Sequence, residues 1–295
     1  MSILVTGATG AIGSLVVQGL AQAGADVKAL VRQAGKRSFP AGVTEVVGDL
    51  TDVPSMRAAL SSVRTLFLLN AVTPDEVTQA LIALNLAREA GVQRIVYLSV
   101  IHADKYTNVP HFTGKYTVER MVESLDLPAT ILRPAYFMQN DRTVQQVIQG
   151  YGVYPMPIGS TGVAMVDTRD IADVAVAELL RRDRAAEPLP RLTLDLIGPE
   201  RLTGASAAQA WSAVLGRDVA YGGDDIAAFE AQMASFGPAW LAYDMRLMMA
   251  GIQRLGMHGD RGAVERLQGI LGRPLRTYAD FVKEAVSAER EPAPV

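Results

Sequence analysis

Near the start of the chain stands the stretch Val5-Thr6-Gly7-Ala8-Thr9-Gly10-Ala11-Ile12-Gly13, whose glycines repeat as Gly-x-x-Gly-x-x-Gly. It directly follows a short apolar run and opens a helical pattern. Gly7 permits a tight turn, Gly10 lets the backbone approach a pyrophosphate, and Gly13 lets the helix pack close to a sheet. The stretch therefore predicts a dinucleotide-binding loop, to which we assign Gly7, Thr9, Gly10, Ala11, Ile12 and Gly13, rather than a glycine-rich turn that binds nothing.

Beyond this loop, short β-rich apolar runs alternate with longer helical patterns as far as about residue 150. Strands are predicted at 3–5, 27–31, 44–47, 65–69, 94–98 and 129–132, and helices near 11–23, 53–61, 74–90 and 114–124. Such alternation is typical of a parallel sheet covered by helices on both faces, with right-handed crossovers. The predicted fold class is α/β, a Rossmann-type doubly wound parallel sheet.

The character of the sequence changes after residue 150, where glycine and proline are frequent through 150–162. A helix is predicted at 170–182, a strand that could join the main sheet at 191–197, and helical segments at 205–214 and 227–255. We expect a nucleotide-binding domain at 1–150, completed by segments within 165–200, and a smaller, mostly helical substrate lobe at 151–295. The tail, 289–295, is expected to fray.

Composition excludes several classes of protein. Hydrophobic residues are 49% of the chain and charged residues 20%, enough for a large core. A formal charge of -3, with no basic stripe, argues against a nucleic-acid partner. The chain has no cysteine, no apolar run near the roughly 20 residues of a membrane span, and a first strand that leaves no room for a signal peptide. We expect a cytoplasmic protein without membrane contact.

A basic residue follows the second predicted strand, where an NAD enzyme would place an acidic one. Arg32 stands there, with Lys36 and Arg37 nearby. A guanidinium suits the 2′-phosphate of NADP by charge and by bidentate geometry, so the predicted cofactor is NADP(H). The alternative is that Arg32 is a solvated charge at a strand end.

Other candidate cofactor residues also stand at strand ends, where ligands of such folds bind. Asp49 and Leu50 could meet the adenine, although Asp49 could equally cap a helix. We expect Asn70 and Ala71 beside the ribose and diphosphate. Tyr136 and Phe137 are expected to flank the nicotinamide, with simple core packing as the alternative.

With these motifs in place, the chain resembles the NmrA-like family of atypical short-chain dehydrogenases. Further segments strengthen the resemblance: His111-Phe112-Thr113-Gly114-Lys115, Ile131-Leu132-Arg133-Pro134-Ala135-Tyr136-Phe137-Met138-Gln139-Asn140 and Val166-Asp167-Thr168-Arg169-Asp170-Ile171-Ala172. The family contains NAD(P)H-dependent reductases of quinones, dyes and related flat conjugated substrates. It also contains non-catalytic proteins that bind a dinucleotide and regulate a partner.

The resemblance implies a role for Lys115, which should hold the nicotinamide ribose. Short-chain dehydrogenases pair this lysine with a tyrosine four residues earlier, but here that position is His111. The histidine could protonate the reduced substrate, since its ordinary pKa of about 6.5 suits neutral pH, or it could merely shape the pocket. His111 and Lys115 are the catalytic candidates. His102, His111 and His258 show no metal-ligand spacing, so no metal is predicted.

The predicted function is an NADPH-dependent reductase that transfers hydride to a small flat conjugated acceptor, such as a quinone, enone or dye. The alternative is a non-catalytic NADP(H) sensor that binds a protein partner, and a homodimer is the default assembly. An apolar set in the C-terminal lobe could line the acceptor cavity or form ordinary core: Trp211, Phe229, Met233, Phe236, Trp240, Tyr243, Met245, Met248 and Met249.

Overall fold

A computed structural model of the protein describes residues 2–288. Within that range a seven-stranded sheet, parallel throughout, forms the centre of the molecule, and a second, two-stranded sheet pairs β7 with β9. The strands are β1 (Ser2–Val5), β2 (Val27–Val31), β3 (Val43–Val47), β4 (Val63–Leu68), β5 (Arg94–Leu98), β6 (Ala129–Pro134), β7 (Val153–Tyr154), β8 (Leu192–Leu196) and β9 (Ala220–Tyr221). The main sheet has the order β3-β2-β1-β4-β5-β6-β8. Strands β2 and β3 are added on one side of β1 and the later strands on the other, so the strand order reverses between β1 and β4.

Helices cover both faces of the main sheet. They are α1 (Ala11–Gln22), α2 (Val53–Leu60), α3 (Glu76–Glu89), α4 (Pro110–Ser124), α5 (Gln145–Tyr151), α6 (Thr168–Arg184), α7 (Gly204–Leu215), α8 (Ile226–Ala234), α9 (Ala239–Leu255), α10 (Ala263–Leu271) and α11 (Tyr278–Ala288). Side chains of β1 alternate between two cores, Ile3 and Val5 packing with α1 and α6, and Leu4 with α2 and α3. The predicted Rossmann-type fold is confirmed.

The segment after residue 150 differs from the prediction in detail. The strand expected at 191–197 does join the main sheet, as β8 beside β6. The helical stretch expected at 227–255 is two helices, α8 and α9, because Pro238 is the N-cap of α9 and has no N–H with which to continue a helix. Strands β7 and β9 have two residues each, too few to show a periodicity. The domain boundary near residue 150 stays a prediction, and the expected frayed tail, 289–295, lies outside the described residues.

A buried carboxyl group connects the C-terminal helix with segments that lie far from it in the sequence. Asp141, in a 3₁₀ helix at Met138–Val144, is fully buried and accepts hydrogen bonds from the hydroxyls of Tyr154 and Tyr278. The indole N–H of Trp211 donates to the Tyr278 hydroxyl at 2.9 Å. Burial raises the pKa of Asp141 to about 7, although the hydrogen bonds from the Tyr278 and Tyr154 hydroxyls act to lower it.

No helix among residues 2–288 has the length and apolarity to cross a bilayer.

We expect Asp141 to make the protein less stable as the pH rises. Its pKa is 3.8 when unperturbed and about 7 when buried, so the folded state holds a proton that the unfolded state has lost. The free energy of unfolding therefore falls between about pH 4 and about pH 7 and levels off above that range. Denaturant unfolding across this window should show the slope. Asp141→Asn should flatten it, and the exposed Asp126→Asn should leave it unchanged; equal slopes in all three proteins would contradict the assignment.

Candidate cofactor and active site

The glycine loop has the geometry that a dinucleotide pyrophosphate needs. Gly7 has a φ of 61°, in the left-handed region, and its carbonyl accepts the Gly10 N–H at 3.0 Å. A Cβ on Gly13 would lie 2.1 Å from the Gly7 carbonyl oxygen, so no other residue allows α1 to start so close to β1. Gly10 is the N-cap of α1 and offers no side chain to its first N–H groups. These amides are left to meet an anion.

A groove of about 470 Å³ opens in front of this loop. It lies at the carboxyl ends of β1, β2, β3 and β4, at the point where the strand order reverses, which is the usual ligand site of doubly wound folds. Eleven of the predicted cofactor residues line it: Gly7, Thr9, Gly10, Ala11, Ile12, Arg32, Asp49, Leu50, Asn70, Ala71 and Phe137. Gly13, Tyr136 and Lys115 do not. The volume is that of an ordinary small-molecule site.

Arg32 lines the groove and lies near Asp49. None of the ion pairs among residues 2–288 includes the Arg32 guanidinium, so its charge is available to a ligand. Asp49 is engaged locally, since the Thr51 backbone N–H and hydroxyl donate to its Oδ1 at 2.8 and 2.6 Å. These two hydrogen bonds lower the pKa of Asp49, and the nearby Arg32 lowers it further. Asp49 therefore closes the turn that precedes α2, whose N-cap is Asp52, so the helix-capping alternative for Asp49 is wrong. The contact of Asp49 with adenine stays a prediction.

The middle of the groove contains an unsatisfied acceptor. Asn70 is buried, and its Oδ1 has no hydrogen-bond partner within the described residues. Its Nδ2 makes one long contact, 3.4 Å, to Gln79 Oε1. A buried carbonyl oxygen without a donor costs about 1–3 kcal/mol, a cost that a ribose hydroxyl could remove. The glycine loop fits a pyrophosphate, the unpaired Arg32 guanidinium fits a 2′-phosphate, and the Asn70 oxygen fits a ribose hydroxyl. The groove residues therefore fit NADP(H).

Several lining residues escaped the sequence analysis: Leu30, Val31, Gly48, Leu69, Thr73, Gln79 and Thr168. Three of them, Val31, Gly48 and Leu69, immediately precede a predicted site residue at a strand end, so including one more residue at each strand end would have found them. Gln79 lies on α3, and Thr168 begins α6 from a distant part of the sequence. The Gln139 side chain fixes Thr168 by accepting its backbone N–H at 2.9 Å; local patterning carries no signal for that contact.

The side chains of Tyr136 and Phe137 point in opposite directions, one into the core and the other into the groove. Phe137 lies in the groove, whereas Tyr136 is 6% exposed, packs into the core and is absent from the groove lining. Burial raises the pKa of the Tyr136 hydroxyl well above its ordinary value, which makes it a poor source of protons. Tyr136 thus packs as in the alternative of core packing, and its contact with a nicotinamide stays a prediction.

Helix α4 carries both catalytic candidates. It begins at Pro110, four residues before the predicted start at 114, because proline is well tolerated in a first turn, where its missing N–H needs no partner. His111 and Lys115 are consequently one turn apart on one helix, the spacing of the tyrosine and lysine in related dehydrogenases. The lysine is nearly buried, at 7% exposure.

Lys115 is bonded to an acidic residue that the sequence analysis missed. Its Nζ lies 2.5 Å from Oε1 of Glu76, in the first turn of α3, and both side chains are more than nine-tenths buried. Glu76 stands between Thr73 and Gln79, which line the groove. The ion pair fixes the ammonium group against α3, the helix whose Gln79 lines the groove. Contact of Lys115 with a ribose stays a prediction.

His111 is also held by a missed residue. Its ring Nδ1 lies 2.6 Å from Oδ1 of Asp244 on α9, and its backbone N–H donates to Oδ2 at 3.2 Å. Asp244 is 1% exposed. These contacts join α4 to α9, a helix of the predicted substrate lobe.

The apolar residues of that lobe divide into three groups by exposure. Trp211, Met248 and Met249 belong to the core, and Phe229, Met233 and Met245 are partly buried. Phe236, between α8 and α9, is 87% exposed, and Trp240 and Tyr243 on α9 are exposed as well. The exposed group lies on the same helix pair as Asp244, so an acceptor cavity formed with it stays a prediction. Among residues 2–288 no group of three or more metal-ligating side chains comes together.

The strand order, the glycine loop and the groove at the reversal point define a Rossmann-type protein with a dinucleotide-sized site. The chain belongs to the NmrA-like family, whose model matches residues 1–252. The resemblance noted in the sequence is thus confirmed.

Curated relatives of similar length are reductases. An NAD(P)H azoreductase from Xenophilus azovorans is 34% identical over 97% of this chain and 98% of its own. A (4-alkanoyl-5-oxo-2,5-dihydrofuran-3-yl)methyl phosphate reductase from Streptomyces griseus is 32% identical over the same shares. Among solved structures, an NADPH-dependent quinone oxidoreductase from Escherichia coli, complexed with NADPH, has a TM-score of 0.83 and 25% identity over 96% of this chain and 99% of its own.

Proposed function

We propose that the protein is an NADP(H)-dependent oxidoreductase that transfers hydride from NADPH to a small, flat, conjugated acceptor such as a quinone, an enone or a dye. The observation that carries this proposal is the groove, in which a glycine loop, the uncommitted Arg32 and the unsatisfied Asn70 oxygen converge. The azoreductase and quinone oxidoreductase relatives support the reaction class. Cytoplasmic location, a homodimer and the lack of a nucleic-acid partner stay predictions.

Each part of the groove has a role in holding the cofactor. The first N–H groups of α1 bind the pyrophosphate, Arg32 binds the 2′-phosphate, and Asn70 accepts a ribose hydroxyl. Phe137 packs against the nicotinamide end, and Lys115, fixed by Glu76, supplies positive charge there. NADPH supplies the hydride, while the protein orients the donor and acceptor and excludes water. An anionic oxygen or nitrogen left on the acceptor then takes up one proton.

The first experiment titrates the purified protein with NADPH and NADH by fluorescence and then adds a panel of quinones and azo dyes. We expect preferential binding of NADPH and loss of reduced-nicotinamide absorbance that depends on the acceptor. Binding without oxidation would favour the alternative of a dinucleotide sensor or an acceptor outside the panel. Failure to bind either nucleotide would overturn the proposal.

Arg32→Ser should change the nucleotide preference. Loss of a charge-assisted hydrogen bond to the 2′-phosphate costs about 1.5–3 kcal/mol, so NADPH affinity should fall roughly 10- to 100-fold. NADH affinity should be unchanged, because that cofactor lacks the phosphate. Arg57→Ser is the matched control, since it removes the same charge from α2, where Arg57 pairs with Glu89 at 3.0 Å. An equal loss of affinity for both nucleotides in Arg32→Ser would contradict the assigned role.

A further inference from the structure

The contact between His111 and Asp244 joins residues 133 positions apart in the chain. The His111 side chain is 9% exposed and that of Asp244 is 1% exposed, so the pair is largely shielded from water. Shielding strengthens the 2.6 Å contact between Nδ1 and Oδ1. Asp244 reaches α4 from α9, a helix of the lobe that we expect to receive the acceptor. The active-site helix and the substrate lobe are therefore joined through one imidazole ring.

The geometry also fixes the ring. A carboxylate can only accept hydrogen bonds, so the Nδ1 that faces it carries the proton, and in the neutral ring Nε2 is bare. The Phe112 ring packs edge-on against the imidazole, with centroids 4.7 Å apart and planes at 76°. Within residues 2–288 no hydrogen bond engages Nε2. One nitrogen is anchored while the other is left for a group outside the chain.

We infer that Asp244 is a positioning residue which, with His111, forms a dyad that delivers the proton in the reduction. The inference rests on the proposed function. Hydride transfer oxidises NADPH by two electrons and leaves a negative charge on the acceptor oxygen or nitrogen. The doubly protonated imidazole gives its Nε2 proton to that atom and becomes neutral, still bonded to Asp244 through Nδ1–H. Water then returns a proton to Nε2.

Asp244 stabilises the charged ring in this step, as the buried aspartate does in serine hydrolase triads. The helix spacing supports the arrangement, because His111 precedes Lys115 by one turn and so takes the position of the usual tyrosine. The histidine then replaces the tyrosine as proton donor, and the lysine keeps its charge near the cofactor. The difference from the usual tyrosine–lysine pair is therefore the replacement of one proton donor, tyrosine, by another, histidine.

A purely structural role is the competing account, because the same carboxylate also accepts the His111 backbone N–H at the start of α4. Asp244→Asn separates the two roles. The asparagine oxygen can still accept the backbone N–H, but its NH₂ group would face Nδ1 and force the proton to Nε2. The hydrogen bond to the His111 backbone N–H is kept. The tautomer protonated at Nδ1 and the carboxylate charge that stabilises the imidazolium are lost.

The kinetic test uses Asp244→Asn, His111→Gln and the double variant with NADPH and the best quinone acceptor. General acid catalysis contributes about 10²–10⁴-fold, so each single variant should lower kcat by roughly that factor while KM for NADPH changes by less than about threefold. The double variant should be no slower than His111→Gln, because both act through one ring. An unchanged kcat in Asp244→Asn, or losses that simply add, would overturn the dyad. Absence of turnover by the wild type would instead refute the proposed function.

A second readout does not depend on turnover. Nitrogen-15 NMR of the imidazole rings, with His111 assigned by the His111→Gln variant, reports which ring nitrogen holds the proton. At a pH at which the ring is neutral, we expect protonated Nδ1 and bare Nε2 in the wild type, and the reverse in Asp244→Asn. A wild-type ring with protonated Nε2 and bare Nδ1 would overturn the dyad even in an active reductase.

Discussion

Lys115→Met is expected to lower the free energy of unfolding by about 3–5 kcal/mol, because it leaves a buried charge without its partner. The Glu76 side chain is 6% exposed, and the Lys115 ammonium lies 2.5 Å from its Oε1. Methionine fills the space of the lysine stem without supplying a charge. Denaturant unfolding measures the loss of stability. Turnover of NADPH should also fall sharply, because the positive charge near the nicotinamide is removed.

The double variant Lys115→Met/Glu76→Gln separates the two effects. A neutral amide costs far less to bury than an unpaired carboxylate, so stability should recover most of the way to the wild-type value. Turnover should not recover, because no ammonium is restored. Recovery of both properties would show that Lys115 serves the fold alone and would remove it from the active site.

Gly13→Ala is expected to disrupt the glycine loop and the binding of NADPH. The added methyl group would lie 2.1 Å from the Gly7 carbonyl oxygen and 2.7 Å from its carbon, so either α1 or the loop must move. Forced overpacking of this kind costs about 1–3 kcal/mol of stability. Displacement of even one amide from a phosphate costs about 1.5–3 kcal/mol, so NADPH affinity should fall at least roughly tenfold. Thermal unfolding and fluorescence titration measure the two effects.

Gly10→Ala is the matched control for the fold. Its added methyl group would lie 3.3 Å from the Gly7 carbonyl oxygen, and Gly10 has a φ of -80°, which alanine adopts without strain. We expect stability close to that of the wild type but weakened NADPH binding, because the methyl group stands where the pyrophosphate approaches. Wild-type affinity in Gly10→Ala would mean that the phosphate does not lie against this loop.

Local sequence was sufficient for the sheet and for one side of the groove. Strands and their ends follow from apolar runs, and in a parallel fold the strand ends converge, so Arg32, Asp49 and Asn70 could be placed without coordinates. The direction in which each side chain points was harder to predict. Phe137 is in extended backbone, with a φ of -82° and a ψ of 133°, and neighbours in extended chain point to opposite sides, so it faces the groove while Tyr136 does not.

The partners of the catalytic candidates could not be predicted. Glu76 lies 39 residues from Lys115, and Asp244 lies 133 residues from His111. Each acidic residue stands in a helix whose local pattern gives no reason to single it out. The helix predicted near 114–124 begins earlier, at Pro110, because a first helical turn accepts proline. Long-range contacts of this kind depend on the docking of whole helices.

The position of β8 at the edge of the main sheet has a consequence for biosynthesis. Strand β6 pairs on one side with β5 and on the other with β8, which follows about sixty residues later in the chain, beyond α6. A nascent chain that has emerged only to β6 presents that strand as an open edge, a template for pairing with other chains. The main sheet is therefore complete only after β8 has left the ribosome, and until then the β6 edge is open to wrong pairing.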